Sequence, residues 1–120
     1  HQLNIIKDDS SSFIFTKPPS PTICCTSNST LSISTEGNTF SFGNSECGQH
    51  GHEEDEVLYP KMIPSLKNIT SISTYANHSV CLDYDGNVYT FGNNKYGQLG
   101  IGIDEDRLKF THVPQKVNLP

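Results

Sequence analysis

The residues best suited to chemistry sit in one stretch, His50-Gly51-His52 followed by Glu53-Glu54-Asp55-Glu56. Two imidazoles beside four carboxylates carry the donor types of a divalent-metal site. Four cysteines, Cys24, Cys25, Cys47 and Cys81, add soft ligands or nucleophiles. The cysteines contain no C-x-x-C pair, the spacing that marks a zinc or redox site. An adjacent pair such as Cys24-Cys25 cannot comfortably bridge to itself, so reduced thiols are the simpler expectation. No nucleophile, base and orienting group fall into a recognisable arrangement, and no glycine loop leads into a helix that would cradle a phosphate. The chain reads as non-catalytic, with no metal and no cofactor.

Composition narrows the classes further. The 120 residues are only 33% hydrophobic and carry a net charge of -5. That apolar fraction is low for a self-sufficient core and suggests a unit completed by neighbours. An acidic surface gains nothing from releasing nucleic-acid counterions, so direct nucleic-acid binding is not expected. No run approaches the roughly 20 apolar residues that span a bilayer, and His1-Gln2-Leu3-Asn4 does not open a signal peptide. The reading is a soluble, intracellular chain, cytoplasmic or nuclear, with no membrane partner. Glycosylation sequons begin at Asn28, Asn68 and Asn77, a number that chance supplies in a chain so rich in Asn, Ser and Thr.

The organising feature is an internal repeat. An offset of 49 residues lays Glu36-Gly37-Asn38-Thr39-Phe40-Ser41-Phe42-Gly43-Asn44 on Asp85-Gly86-Asn87-Val88-Tyr89-Thr90-Phe91-Gly92-Asn93. It also lays Gly48-Gln49-His50-Gly51 on Gly97-Gln98-Leu99-Gly100, and Leu31 and Ile33 on Val80 and Leu82. Tyr59-Pro60-Lys61 then matches Val113-Pro114-Gln115 at an offset of 54, so the second unit carries a longer connection. The repeat explains the histidines: His50 stands where the second unit has Leu99.

Each unit reads as antiparallel strands. Leu31 and Ile33, then Val80, Leu82 and Tyr84, alternate at period two. Glu36-Gly37 and Asp85-Gly86 divide such runs with the chemistry of a tight hairpin. This pairs 29–35 with 38–42, and 79–84 with 87–91. Gly43, Gly48 and Gly51, with Gly92, Gly97 and Gly100, serve the close turn that leaves each second strand, and Gly37 and Gly86 the hairpins. Pro60 and Pro114 are expected to open an outer edge strand, where a missing N–H costs least.

The stretch DGNVYTFGNNKYGQLGIG, preceded by ISTYANHSVCL, resembles the signature of the regulator of chromosome condensation repeat family. EGNTFSFGNSECGQHG is a weaker copy of it. The resemblance covers about residues 23–120 and implies an all-β fold: two consecutive antiparallel blades of a β-propeller, part of a seven-bladed ring. Residues 23–70 would be the first blade and 71–120 the second with the start of the next connection. Residues 1–22 would be a leader or an outer strand of a preceding blade. Single blades cannot bury both faces alone, so missing sequence or other chains are expected to complete the ring.

The same resemblance locates function. In relatives that promote nucleotide exchange on a small Ran-type GTPase, the critical residues lie in the loop before the histidine of an inner strand. The matching positions are Ala76 and Asn77 ahead of His78, and Ser27 and Asn28 ahead of Ser29. Thr26 and Tyr75 stand where the family usually has glycine, and these loops lack the acidic or histidine groups of exchange factors. Loops on a rigid scaffold concentrate binding residues, so Ser27, Asn28, Tyr75, Ala76, Asn77, His78, Asn94 and Tyr96 are the candidate partner contacts. Glu53, Glu54, Asp55 and Glu56, with Asp104, Glu105 and Asp106, are candidates for an acidic stripe that steers a basic partner.

The expected function is a protein-interaction scaffold. One alternative is guanine-nucleotide exchange on a small GTPase. Another is an inhibitor-type propeller that plugs another protein's active site.

Overall fold

The computed structural model describes residues 4–7, 13–16, 22–102 and 109–120. Two short strands come first, β1 (Asn4–Lys7) and β2 (Phe13–Thr16), paired antiparallel with Asn4 opposite Thr16. Next come β3 (Thr22–Cys25), β4 (Ser29–Ile33), β5 (Thr39–Asn44) and β6 (Glu56–Met62), which form one four-stranded antiparallel sheet in that order. A second such sheet follows from β7 (Ile69–Tyr75), β8 (His78–Asp83), β9 (Val88–Asn93) and β10 (Phe110–Val117). This is the all-β pair of blades that the repeat foretold.

The hairpins close where the acid-glycine pairs stand. Gly37 and Gly86 take φ of 83° and 88°, a region only glycine enters without strain. Their N–H groups donate to the carbonyls of Ser34 and Asp83. In the second hairpin Asp83 also folds its carboxylate back over the turn. It accepts from the backbone N–H of Asp85 and Asn87, from Asn87 Nδ2 and from the Tyr89 hydroxyl. The first hairpin uses Ser34 at the same repeat position, bonded to the Asn38 N–H.

The sheets pack face to face. Leu31, Ile33, Ile63, Leu66, Ile69, Ile72, Cys81 and Phe91 form one buried cluster, with Cys24 and Tyr89 against it. The front of the first sheet, Leu31 and Ile33, meets the back of the second, Ile72, Cys81 and Phe91. Val80, Leu82 and Tyr84, whose alternation marks the strand, are not the covered face of the second sheet. On β8 it is Ser79, Cys81 and Asp83 that are buried, while Leu82 is 39% exposed and Tyr84 80%. The reason is geometric: Val80 and Leu82 match Leu31 and Ile33, which are covered only because another sheet lies in front of them.

The outer strands also differ from expectation. Pro60 and Pro114 do not open β6 and β10; they sit within them. Val57 faces Gly43 and Lys61 faces Ser41, so Leu58, Tyr59 and Pro60 bulge opposite Phe42 alone. His112, Val113 and Pro114 do the same opposite Phe91. A bulge leaves residues out of the ladder, which is where a proline without an N–H fits.

Candidate partner-binding loop face

Two turns mark one end of the pair of blades. Thr74 Oγ1 on β7 donates to the Cys25 carbonyl on β3 at 2.9 Å, which brings the turn after β3 beside the turn after β7. Cys24 Sγ lies 3.2 Å from the Ile72 carbonyl, one row deeper. In the first turn Thr26 does the work expected of a glycine by hydrogen bonding. Its Oγ1 accepts the Ser29 N–H at 3.0 Å and shares a hydrogen with Ser29 Oγ at 2.6 Å. In the second turn Ala76 takes φ of 50°, a left-handed conformation that a residue with a Cβ rarely adopts.

Both turns are pinned from below. The Asn28 carbonyl accepts the Asn44 N–H at 2.9 Å, and the Asn77 carbonyl accepts the Asn93 N–H at 2.8 Å. The bonds require glycine at the base. A Cβ on Gly92, where φ is 112°, would stand 2.5 Å from the Asn77 carbonyl oxygen and 2.7 Å from His78 Cα. One on Gly43 would collide with the Asn28 carbonyl in the same way.

The candidate residues divide on this frame. Ser27, Asn28, Tyr75, Ala76 and Asn77 are all exposed at the two tips, with Tyr75 at 81%. His78 is half-buried and opposite Tyr75 in the ladder. Tyr96 is exposed in the following turn, with Lys95 Nζ 5.5 Å from its ring centroid. Asn94 departs from the group: it is 1% exposed, and its Oδ1 accepts the Leu99 N–H at 3.2 Å. Its amide shapes the turn and does not face a partner.

Glu53, Glu54, Asp55 and Glu56 are exposed, and Glu54 pairs with Lys61 at 2.5 Å. The hydrogen bond from Lys61 holds the Glu54 carboxyl below its usual range. Asn28, Asn44, Ser45, Glu46, Asp55 and Glu56 line an open cleft of about 280 Å³ beside the first tip. Asp104, Glu105 and Asp106 lie outside the described residues.

Several structural residues were not singled out by sequence reasoning. Gln49 Oε1 accepts the Cys47 N–H at 3.0 Å, and Gln98 Oε1 accepts the Tyr96 N–H at 2.9 Å. Their shared repeat position was the available signal. Ser41 and Thr90 donate to the His50 and Leu99 carbonyls, tying each turn to its own sheet. Ser79 Oγ reaches the Gln49 carbonyl in the turn between β5 and β6 at 2.7 Å; its repeat partner is Thr30, so the repeat held no hint of it.

The four thiols are free, and burial pushes Cys81 up to about 12, far from the thiolate a nucleophile needs. Among the described residues no group of three or more His, Cys, Asp or Glu is placed to hold a metal ion, and no helix is long and apolar enough to cross a membrane.

Two four-stranded meanders stacked face to face, with tight turns at both ends, are consecutive blades of a β-propeller. Models of the regulator of chromosome condensation (RCC1) repeat match residues 69–98 and 85–120. The second blade therefore carries the RCC1 repeat, and the chain as a whole has the fold of a partial propeller. No curated protein matches the chain. Among solved structures it is similar to yeast RCC1 (Prp20) bound to Kap60, at 21% identity and a TM-score of 0.75 over 92% of this chain and 26% of that one. It is equally similar to Prp20p from Saccharomyces cerevisiae, a structure described with its binding to Gsp1p and histones, at 21% identity and TM-score 0.74, covering 92% and 27%. Human WBSCR16 gives 18% identity and TM-score 0.68, covering 92% and 29%. The chain thus spans about a quarter of the length of these structures.

Proposed function

We propose that these blades form part of an interaction scaffold that presents the Ser27-Asn28 and Tyr75-Ala76-Asn77 tips to a protein partner inside the cell. The observation that carries this reading is the combination at Tyr75: a fully offered aromatic on a turn pinned at its base. Large amphipathic side chains held rigid and exposed suit partner contact, because little ordering entropy is lost on binding. Further sheets of the same kind complete the ring, from additional sequence or from other chains. Repeat symmetry supports this, since Gly48 abuts His112 and Gly37 abuts Asn68, whereas among the described residues nothing lies within 4 Å of a Cβ placed on Gly97 or Gly86.

Exchange on a small GTPase is the second reading, favoured by the likeness to Prp20p, whose structure was reported with its binding to Gsp1p. The tips supply no acidic or histidine group ahead of β4 and β8, so exchange would draw on other blades. Affinity capture with the parent protein, followed by a nucleotide-exchange assay on any GTPase recovered, separates the two. Capture of a partner that depends on Tyr75, without exchange, supports the scaffold. Accelerated exchange supports the second reading, and capture insensitive to both tips sinks the first.

A further inference from the structure

The turn from Gly48 to His52 is where the first blade grips the second. Its Gln49 carbonyl takes the Ser79 hydroxyl at 2.7 Å. Gly48 lies so close to β10 that a Cβ there would be 2.6 Å from the His112 backbone nitrogen, and one on Gly51 would meet Ile63 at 2.6 Å and Phe91 at 3.3 Å. The same turn carries two histidines shut away from solvent, His50 at 0% exposure and His52 at 5%. Their rings meet edge to face with centroids 5.4 Å apart. His50 Nδ1 accepts the His52 N–H at 3.4 Å, and among the described residues no group makes a well-formed hydrogen bond to the buried His50 Nε2. His52 Nε2 donates to the Lys61 carbonyl at 3.2 Å.

We infer that this turn is an acid-released latch between the blades: it is closed while the histidine pair is uncharged, and protonation of either ring opens it and parts Gln49 from Ser79. A buried cation needs a counter-charge or several hydrogen bonds, and here burial outweighs those the surroundings offer. The backbones and carboxylates of Glu54 and Asp55 favour a charged His50, and the Lys61 carbonyl a charged His52, but Glu54 is already paired with Lys61, itself a cation on β6. From the other elements, β5 contributes the Ser41 hydroxyl, already bonded to the His50 carbonyl, and β10 contributes His112 beside Gly48. The second blade has Leu99 and Ile101 at these places, so the turn itself does not require histidines.

Burial, the largest influence, pushes both imidazoles below their ordinary value; for His52 the neighbouring His50 pushes the same way. A depressed value in the folded state means that the unfolded or opened chain binds the proton more readily. The latch is therefore at full strength above about pH 6.5 and weakens as pH falls through that point toward the lowered folded values.

Hydrogen–deuterium exchange of this chain at pH 7.5, 6.0 and 5.0, corrected for intrinsic rates, tests it. Opening of 48–56 and of 79–91 is expected to rise by up to about tenfold per pH unit per histidine below pH 6.5. A variant with His50→Leu and His52→Ile, which copies the second blade, is expected to lose that dependence. An unchanged pH slope in the variant overturns the latch. Ring titrations of the unaltered chain by NMR provide the independent reading if the variant does not fold. Both histidines titrating near 6.5 reject the proposal, and values below it support it.

Discussion

The Ser79 hydroxyl on the second blade donates at 2.7 Å to the Gln49 carbonyl on the first. Both groups are buried, so this bond joins two sheets at a point from which water is excluded. Removing the donor strands the carbonyl, a loss that mutational series place at about 1–3 kcal/mol. Ser79→Ala is expected to lower the unfolding free energy by that amount, read as a lower denaturant midpoint at an unchanged slope. A midpoint equal to the parent's would mean that the two blades do not meet here.

The glycines under the tips give a graded comparison. Gly92→Ala places a Cβ against the Asn77 carbonyl at a φ of 112°, combining backbone strain with a clash worth about 2–5 kcal/mol together. Gly86→Ala has a similar φ of 88° but open space around it, so strain alone, about 1–2 kcal/mol, remains. Thermal midpoints of the two variants should fall in that order.

Asp83 sets an acid limit of a different kind from the histidines. Burial works to raise its carboxyl, but the bonds from Asn87, Tyr89 and Asp85 outweigh it and hold the group below the usual range. A depressed folded value stabilises the chain above the ordinary carboxylate value near 3.9, and that share is lost as pH falls through the lowered one. Asp83→Ser, which copies Ser34, is expected to remove this share of the acid dependence below about pH 4 while keeping the hairpin. Urea titrations of the two chains at pH 3 and pH 6 would show it; equal pH sensitivity would count against the carboxylate's role.

Ile33 and Leu82 occupy one repeat position, yet Ile33 is 1% exposed and Leu82 39%. Ile33→Ala should cost this chain about 2–5 kcal/mol, and Leu82→Ala under about 1 kcal/mol. Similar losses at both positions would show that Leu82 is already covered in solution, as by self-association.

For partner binding, Tyr75→Ala is expected to weaken capture by about tenfold or more, the usual weight of a central aromatic anchor. Its thermal midpoint should stay with the parent's, since the ring touches solvent. Parallel loss of stability and capture would move Tyr75 from the interface to the fold.

Much of the architecture was legible because it is local and repeated. Glu36-Gly37 and Asp85-Gly86 name their hairpins through the conformation glycine supplies, and period-two alternation names the strands beside them. What stayed hidden depends on neighbours or on side chains that fold back. The outward face of Val80 and Leu82 looks identical in sequence to that of Leu31 and Ile33, and only a covering sheet tells them apart. Asn94 reads as a surface amide until the turn bends it onto Leu99 N–H. Pro60 and Pro114 suggest strand starts because a bulge opposite Phe42 or Phe91 leaves no separate mark in the residues themselves. The choice of tip residues rested on the family resemblance, and the placement of Ser27, Asn28, Tyr75, Ala76 and Asn77 at one end is what makes them a coherent surface.

The proline bulges on β6 and β10 bear on how such a molecule can grow. A rim strand without a regular row of free N–H groups is a poor template for another strand, so neither sheet is readily extended past β6 or β10. The two outer rims are thereby guarded against the edge-to-edge pairing that leads to fibres.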